Sequence, residues 1–333
     1  SIVVVYHFVR NMHETPYPGI KGRLVDDFVG QVEYLCRHHE ALTMRDLILY
    51  LDGERSLPQN GFYLTFDDGF RDHYDTVLPV LKSHNLEAAF FPMTEPLVHA
   101  RVPSMEKLRF LMKTLDFHVF TDEFRDTVDR LFPQFDTSRL MFQGEQADEA
   151  RSFNSFDELE VSHFKRFTTV EIPREIRNAV LDYMFPRYFG TDAEFIKELY
   201  MNWDELTALQ AEGMVVGAHT VTHSWLPALS QDEQATEIND SFDALQEKLD
   251  DRVEVFSYPY GGYDESTLAV LSRRNSCRLA LTDREGVGCH RAKPLEVERL
   301  DTTHLPLSAA AAPNAWSLRV ISGSIPHDTG DPA

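Results

Sequence analysis

Seven short apolar runs constrain this chain more than any other feature of its sequence. They are 2–6 IVVVY, 62–66 FYLTF, 88–92 AAFFP, 214–218 MVVGA, 254–258 EVFSY, 278–282 RLALT and 296–300 EVERL. They are rich in β-branched and aromatic residues, as strands covered on both faces tend to be. Helical periods lie between them. LVDDFVGQVEYLCRHH sets Leu24, Phe28, Val32 and Leu35 on one face. About seven strands alternating with helices imply a parallel sheet. At 333 residues the expected architecture is α/β, a closed or nearly closed β/α barrel.

The rhythm breaks at about 94–200, where PSMEKLRFLMKTL and PREIRNAVLDYMF read as helices and no run reads as a strand. This block is expected to be a helical insertion in a barrel spanning 1–307. Residues 308–333, mixed in Ala, Pro and Gly, are expected to form a loosely ordered C-terminal tail.

A formal net charge of −22 argues against nucleic acid and anionic membrane surfaces as partners. The cysteines Cys36, Cys277 and Cys289 form no C-x-x-C pair, which disfavours a disulfide framework. No apolar run is long enough for a membrane span, and no leader is visible. The expectation is a cytoplasmic protein, or a secreted or periplasmic one if a leader has been removed.

In parallel β/α folds, chemistry gathers at the carboxyl ends of the strands. Four such ends here carry titratable or polar groups: His7, the adjacent Asp67 and Asp68, His219 with His223, and Tyr260. The spacing H-x-x-x-H puts two imidazoles on one face of a helical turn, where both can meet one ion. A carboxylate from another strand end completes a set of two histidines and one aspartate, with positions left for water and substrate. The second aspartate can then act as a base, the cation offsetting repulsion within the pair. The competing reading is an Asp-Gly turn with a capping aspartate.

TFDDG, HTVTH and YPYG occur in that order, and the chain resembles the polysaccharide deacetylases, the NodB-homology group of carbohydrate esterase family 4. The resemblance covers roughly 1–92 and 201–305. It implies a distorted β/α barrel with Asp67 as catalytic base and Asp68, His219 and His223 as ligands of a divalent metal. Zinc is expected first, with cobalt and nickel as alternatives. The usual R-x-P-Y motif is replaced by Ser257-Tyr258-Pro259-Tyr260, so its arginine is absent. The YPYG form resembles a branch containing biofilm poly-N-acetylglucosamine deacetylases, which gives the backbone amide of Tyr260 an oxyanion role. Arg299 is the candidate substitute for orienting Asp67. The usual late L-x-H is also missing, and Val5-Tyr6-His7 offers the same spacing at the start of the chain. This resembles the permuted arrangement of that branch and makes His7 the candidate acid, with His304 as competitor. Trp225, Pro259 and Arg299 are assigned to the substrate side.

The function implied is a metal-dependent N-deacetylase that releases acetate from an N-acetylated sugar, oligosaccharide or sugar-linked precursor of a surface glycan. The alternatives are a hydrolase of small amides or cyclic ureides on the same fold, and a catalytically inactive glycan-binding module.

Overall fold

The first strand, β1 (Ile2–Tyr6), is buried at every position, and so is β3 (Gly61–Asp68). In the computed structural model, which describes all residues except 12–14, 16, 18, 21, 141–157, 288 and 323–333, these two strands lie at the centre of a parallel sheet. Its other members are β2 (Glu40–Ala41), β4 (Ala88–Pro92), β5 (Val215–Val216), β6 (Val255–Ser257), β7 (Leu279–Glu285) and β8 (Val297–Asp301). The order is β5-β4-β3-β1-β8-β7-β6, with β2 attached to β3 off this path. Every pairing is parallel. Among the described residues, a single bridge joins the two ends. Ala218 N donates to Val255 O at 2.9 Å, and Ser257 N donates to Ala218 O at 3.0 Å. The sheet is therefore a nearly closed barrel of seven parallel strands with flanking helices.

Strand residues alternate between two environments, as the period of two requires. Ile2, Val4 and Tyr6 share a cluster with Phe62, Leu64 and Phe66 and with Phe28, Val32 and Leu35 of the helix Val25–His38. That cluster is the layer between sheet and helices. Leu24, expected on the same helix face, precedes the helix and is exposed. Val3, Tyr63, Ala89, Phe91, Val255, Leu279, Leu281 and Val297 form a second cluster with Leu42, Met44 and Leu47. That cluster fills the barrel interior. The same odd-numbered positions, continued toward the carboxyl ends, are His7, Asp67, Ser257, Asp283 and Arg299.

The chain divides into two compact units, Ser1–Val98 with Lys197–Ala333, and His99–Ile196. The second contains helices and, among the described residues, no strand. Its core is aromatic: Phe120, Phe124 and Phe164 meet edge to face, and Phe185 meets Phe195 in the same way. Within it the buried Lys107 is paired with Asp182 at 2.7 Å and Asp192 at 2.8 Å. In the first unit, the stretch after 307 is not loose throughout. Residues Ala315–Ser322 form a helix. Its buried Ser317 is held by the Tyr34 hydroxyl at 2.9 Å and His39 Nε2 at 2.8 Å. These bonds order a segment whose composition alone suggests an end. Residues 323–333 lie outside the described part. No helix among the described residues is long and apolar enough to cross a membrane.

Candidate active site

Asp67 and Asp68 are the last two residues of β3, opposite Phe91 and Pro92 of β4. A regular strand sends neighbouring side chains to opposite faces. Asp68 escapes this with a φ of 75°. Gly69 follows with a φ of 76°, and a Cβ there would sit 2.8 Å from Pro92 Cα. Only glycine allows this turn, which lets two adjacent carboxylates serve one cup. Both are buried.

Asp68 Oδ1 lies 3.3 Å from His219 Nε2 and 3.2 Å from His223 Nε2. The ligand atoms of the three residues all fall within 4.8 Å of one another. The H-x-x-x-H segment is not helical, contrary to the spacing argument. It is an irregular loop in which Thr220 and His223 take φ values of 63° and 56°. Two left-handed residues fold the loop back and bring the rings to 4.8 Å between centroids. Glu237, on the helix Gln231–Lys248, holds this shape. Its Oε2 accepts from the amides of Val221 and Thr222 at 3.0 and 2.8 Å.

The imidazoles are oriented from behind. His219 Nδ1 faces Ser257 O at 2.8 Å. A carbonyl can only accept, so in the neutral ring Nδ1 carries the hydrogen and Nε2 keeps its lone pair. His219 Nε2 is buried and lies 3.3 Å from Asp68 Oδ1. His223 Nδ1 meets the Tyr260 hydroxyl at 3.1 Å. Two Nε2 atoms and a carboxylate oxygen directed at one point are a donor set suited to a divalent cation.

Asp67 faces a different set of partners. Arg299 Nη1 donates to its Oδ1 at 3.0 Å and Nη2 to its Oδ2 at 2.6 Å. Ser257 Oγ donates to Oδ2 at 2.9 Å. The guanidinium is itself fixed by Thr282 O at 2.9 Å, Thr65 Oγ1 at 3.3 Å and Asp283 Oδ1 at 2.5 Å. Burial pushes the Asp67 carboxyl up, but Arg299 and then His219 outweigh it and hold the group below its ordinary value. Asp68 behaves likewise, burial being outweighed by His223 and His219. Arg299, expected both to orient Asp67 and to stand on the substrate side, contacts Asp67 with a side chain that has no exposed surface. Pro259 is also buried, inside the turn Pro259–Gly261.

His7, half-buried, continues the interior series of β1, and it is among the groups that lower both Asp67 and Asp68. Its carbonyl accepts from His73 Nε2 at 2.8 Å. Tyr260 is 48% exposed with a φ of 56°. Sequence reasoning gave it only a backbone role and missed its hydroxyl contact with His223. Half-buried Trp225 lies against Gly262 beside that turn. His304 is bound instead to Glu285 at 2.7 Å and packs on Trp316.

The family model for polysaccharide deacetylase matches residues 54–117 and 182–275, segments that hold both aspartates, both loop histidines and Tyr260. The chain carries a polysaccharide deacetylase domain. YxkH of Bacillus subtilis, named for the polysaccharide deacetylases, is 27% identical over 169 residues. That match covers 50% of this chain and 54% of YxkH, so it spans about half the length of that relative. Among solved structures, the Streptococcus pyogenes deacetylase PplD, in complex with acetate, aligns over 96% of both chains at 17% identity and a TM-score of 0.55. IcaB from Ammonifex degensii aligns over 96% of this chain and 95% of its own, at 18% identity and a TM-score of 0.54. These two likenesses show a shared fold. His7 and Arg299 fall outside the matched segments of the deacetylase domain. Alternation along β1 and β8 is the sequence signal that puts them inside the barrel.

Proposed function

We propose that this chain is a metal-dependent carbohydrate N-deacetylase, removing acetyl from an acetamido sugar of a surface glycan or its precursor and releasing acetate. The observation that carries the reading is the convergence of Asp68, His219 and His223 within 4.8 Å, beside the buried Asp67. Those three residues would hold the divalent ion, zinc first. When bound, such an ion polarises the acetyl carbonyl and makes a water more acidic.

The remaining chemistry belongs to the chain's own side chains. Asp67 accepts the proton of the attacking water at its carboxylate. Arg299 and Ser257 keep that carboxylate ionised and fixed in direction. The backbone amide of Tyr260 donates to the oxyanion of the tetrahedral intermediate. His7 gives a proton to the departing amine, which cannot leave as an anion near neutral pH. Trp225, beside the Tyr260 turn, offers an apolar face to the sugar ring. An inactive glycan-binding module was suggested only by the missing motif arginine, and the Arg299 clamp on Asp67 removes that motive.

Acetate release tests this reading directly. Zinc-loaded protein is assayed against N-acetylated nucleotide sugars, oligosaccharides and polymers, alongside Asp67→Asn. The variant should bind the metal and lose on the order of a hundredfold to ten-thousandfold in rate. Parent-level turnover by Asp67→Asn would remove Asp67 as the base. Absence of acetate from every sugar would remove the function.

A further inference from the structure

The strand β6 runs out into Ser257-Tyr258-Pro259-Tyr260, and this short run stands behind both candidate histidine ligands. Ser257 O faces His219 Nδ1 at 2.8 Å, and the Tyr260 hydroxyl meets His223 Nδ1 at 3.1 Å. The two partners differ in kind. A main-chain carbonyl is present whatever residue stands at 257, whereas the hydroxyl comes with the tyrosine side chain. The Tyr260 ring also lies 4.5 Å from the His223 ring between centroids. Ring and hydroxyl therefore both bear on one imidazole.

The position is a costly one for tyrosine. Its φ of 56° and ψ of 21° lie in the left-handed region, which strains any bulky side chain. The residue is also 48% exposed, so burial does not repay that strain. The neighbours enforce the turn. Gly261 follows with a φ of 64°, and a Cβ there would come within 2.6 Å of Asp283 N. A Cβ on Gly262 would run into the Trp225 indole. Gly261 N donates to Tyr258 O at 2.9 Å, and Gly262 N to Pro259 O at 3.0 Å. The turn is thus pressed between Asp283, which holds Arg299, and Trp225, which closely follows His223. Glycine at 260 would relieve the strain but bring no hydroxyl to His223.

We infer that Tyr260 is a positioning residue whose hydroxyl sets the metal affinity of the candidate centre through His223. The inference rests on the metal-dependent reading and adds a side-chain role to the backbone role of Tyr260. His223 Nε2 lies 3.2 Å from Asp68 Oδ1. For that nitrogen to offer its lone pair to a cation, the hydrogen of the neutral ring must sit on Nδ1. A phenol oxygen can accept that hydrogen. The bond then fixes tautomer and ring direction and makes Nε2 a better donor to the ion. Loss of an outer partner of this kind costs about 10- to 100-fold in metal affinity. One residue would serve the ion through its hydroxyl and the oxyanion through its amide.

Zinc titration of the chelator-stripped full chain, in competition with a chromogenic chelator, tests this without any turnover. Tyr260→Phe keeps the ring and removes the hydroxyl, and it should bind zinc about 10- to 100-fold more weakly than the parent. Tyr260→Leu removes the ring as well and should bind no tighter than Tyr260→Phe. Equal affinities in parent and Tyr260→Phe would overturn the inference. So would a loss confined to Tyr260→Leu, which would assign the effect to ring packing. A second measurement needs no variant. Nitrogen-15 spectra of the zinc-loaded parent should show the His223 ring hydrogen on Nδ1, and a hydrogen on Nε2 would overturn the inference by itself. In zinc-saturated Tyr260→Phe that hydrogen should exchange with water faster. A parent that binds no zinc sinks the metal-dependent reading together with this inference, whereas a parent that binds it no better than Tyr260→Phe sinks this inference alone.

Discussion

Replacing Arg299 with Met tests the device that keeps Asp67 ionised. The guanidinium is fully buried, and it makes two bonds to Asp67, of 3.0 and 2.6 Å. Its loss leaves Asp67 with the Ser257 hydroxyl. Breaking one side of a buried ion pair costs about 3–5 kcal/mol, because the partner stays as an uncompensated charge. The sign of the pH dependence should also invert. In the parent, Asp67 titrates below its ordinary value, so its contribution is present above about pH 3.9 and is lost as pH falls through the folded value. Without Arg299, burial dominates and the carboxyl moves up, so stability is lost as pH rises above about 3.9. The acid limb of kcat/KM should move upward too, and at any pH below the limb each pH unit it moves costs about tenfold in rate. Guanidinium denaturation of chelator-treated protein at a series of pH values reads the first effect, and acetate release reads the second. Arg299→Lys should fall between parent and Arg299→Met. Asp67→Asn combined with Arg299→Met should recover much of the lost stability by removing the stranded charge. A loss under about 1 kcal/mol with an unmoved acid limb would refute the clamp, since both numbers follow from burial of the pair.

Three further outcomes are expected. Chelation should abolish acetate release and zinc or cobalt should restore it at one ion per chain by elemental analysis, while His223→Ala should lower the bound ion well below one. His7→Ala should keep the metal and lose more turnover on an acetamido sugar than on an activated acetyl ester; equal losses would assign His7 a structural role. His73 is buried among Phe66, Phe70 and Phe90, and burial pushes its ring down from 6.5 to about 4. The unfolded chain takes up that proton first, so stability should fall by about 3 kcal/mol as pH drops from about 6.5 to 4, and His73→Phe should flatten that slope in denaturant titrations of metal-free protein.

The barrel was legible because a parallel sheet with both faces covered leaves uninterrupted apolar runs, as IVVVY and FYLTF do. The aspartate pair and the two histidines were legible because their side chains have little reason to end buried strands unless they meet something. Backbone shape was harder. Nothing in HTVTH announces that Thr220 and His223 adopt positive φ, so the spacing was read as a helical turn. Long-range partners were harder still. Glu237 lies in an ordinary amphipathic helix, and the residues it braces are 15 and 16 positions earlier. Arg299 could be suspected from the absence of a motif arginine. Its depth follows only once Val297 is known to face the interior, two residues before it.

The bridge between Ala218 and Phe256, the one that joins the sheet's ends among the described residues, has a consequence for how the molecule opens. A barrel with one bridged seam should unzip there first, since few backbone bonds hold β5 to β6. The first candidate ligand, His219, follows Ala218 directly, and its ring grips Ser257 O across the same seam. Asp68 reaches it from β3, on the far side of β4. An ion held by Asp68, His219 and His223 would therefore act as a clasp on the barrel's weakest join. Loading it should slow hydrogen exchange at the amides of Ala218 and Ser257 more than at the β1–β3 amides, so the gain would be local rather than spread through the sheet.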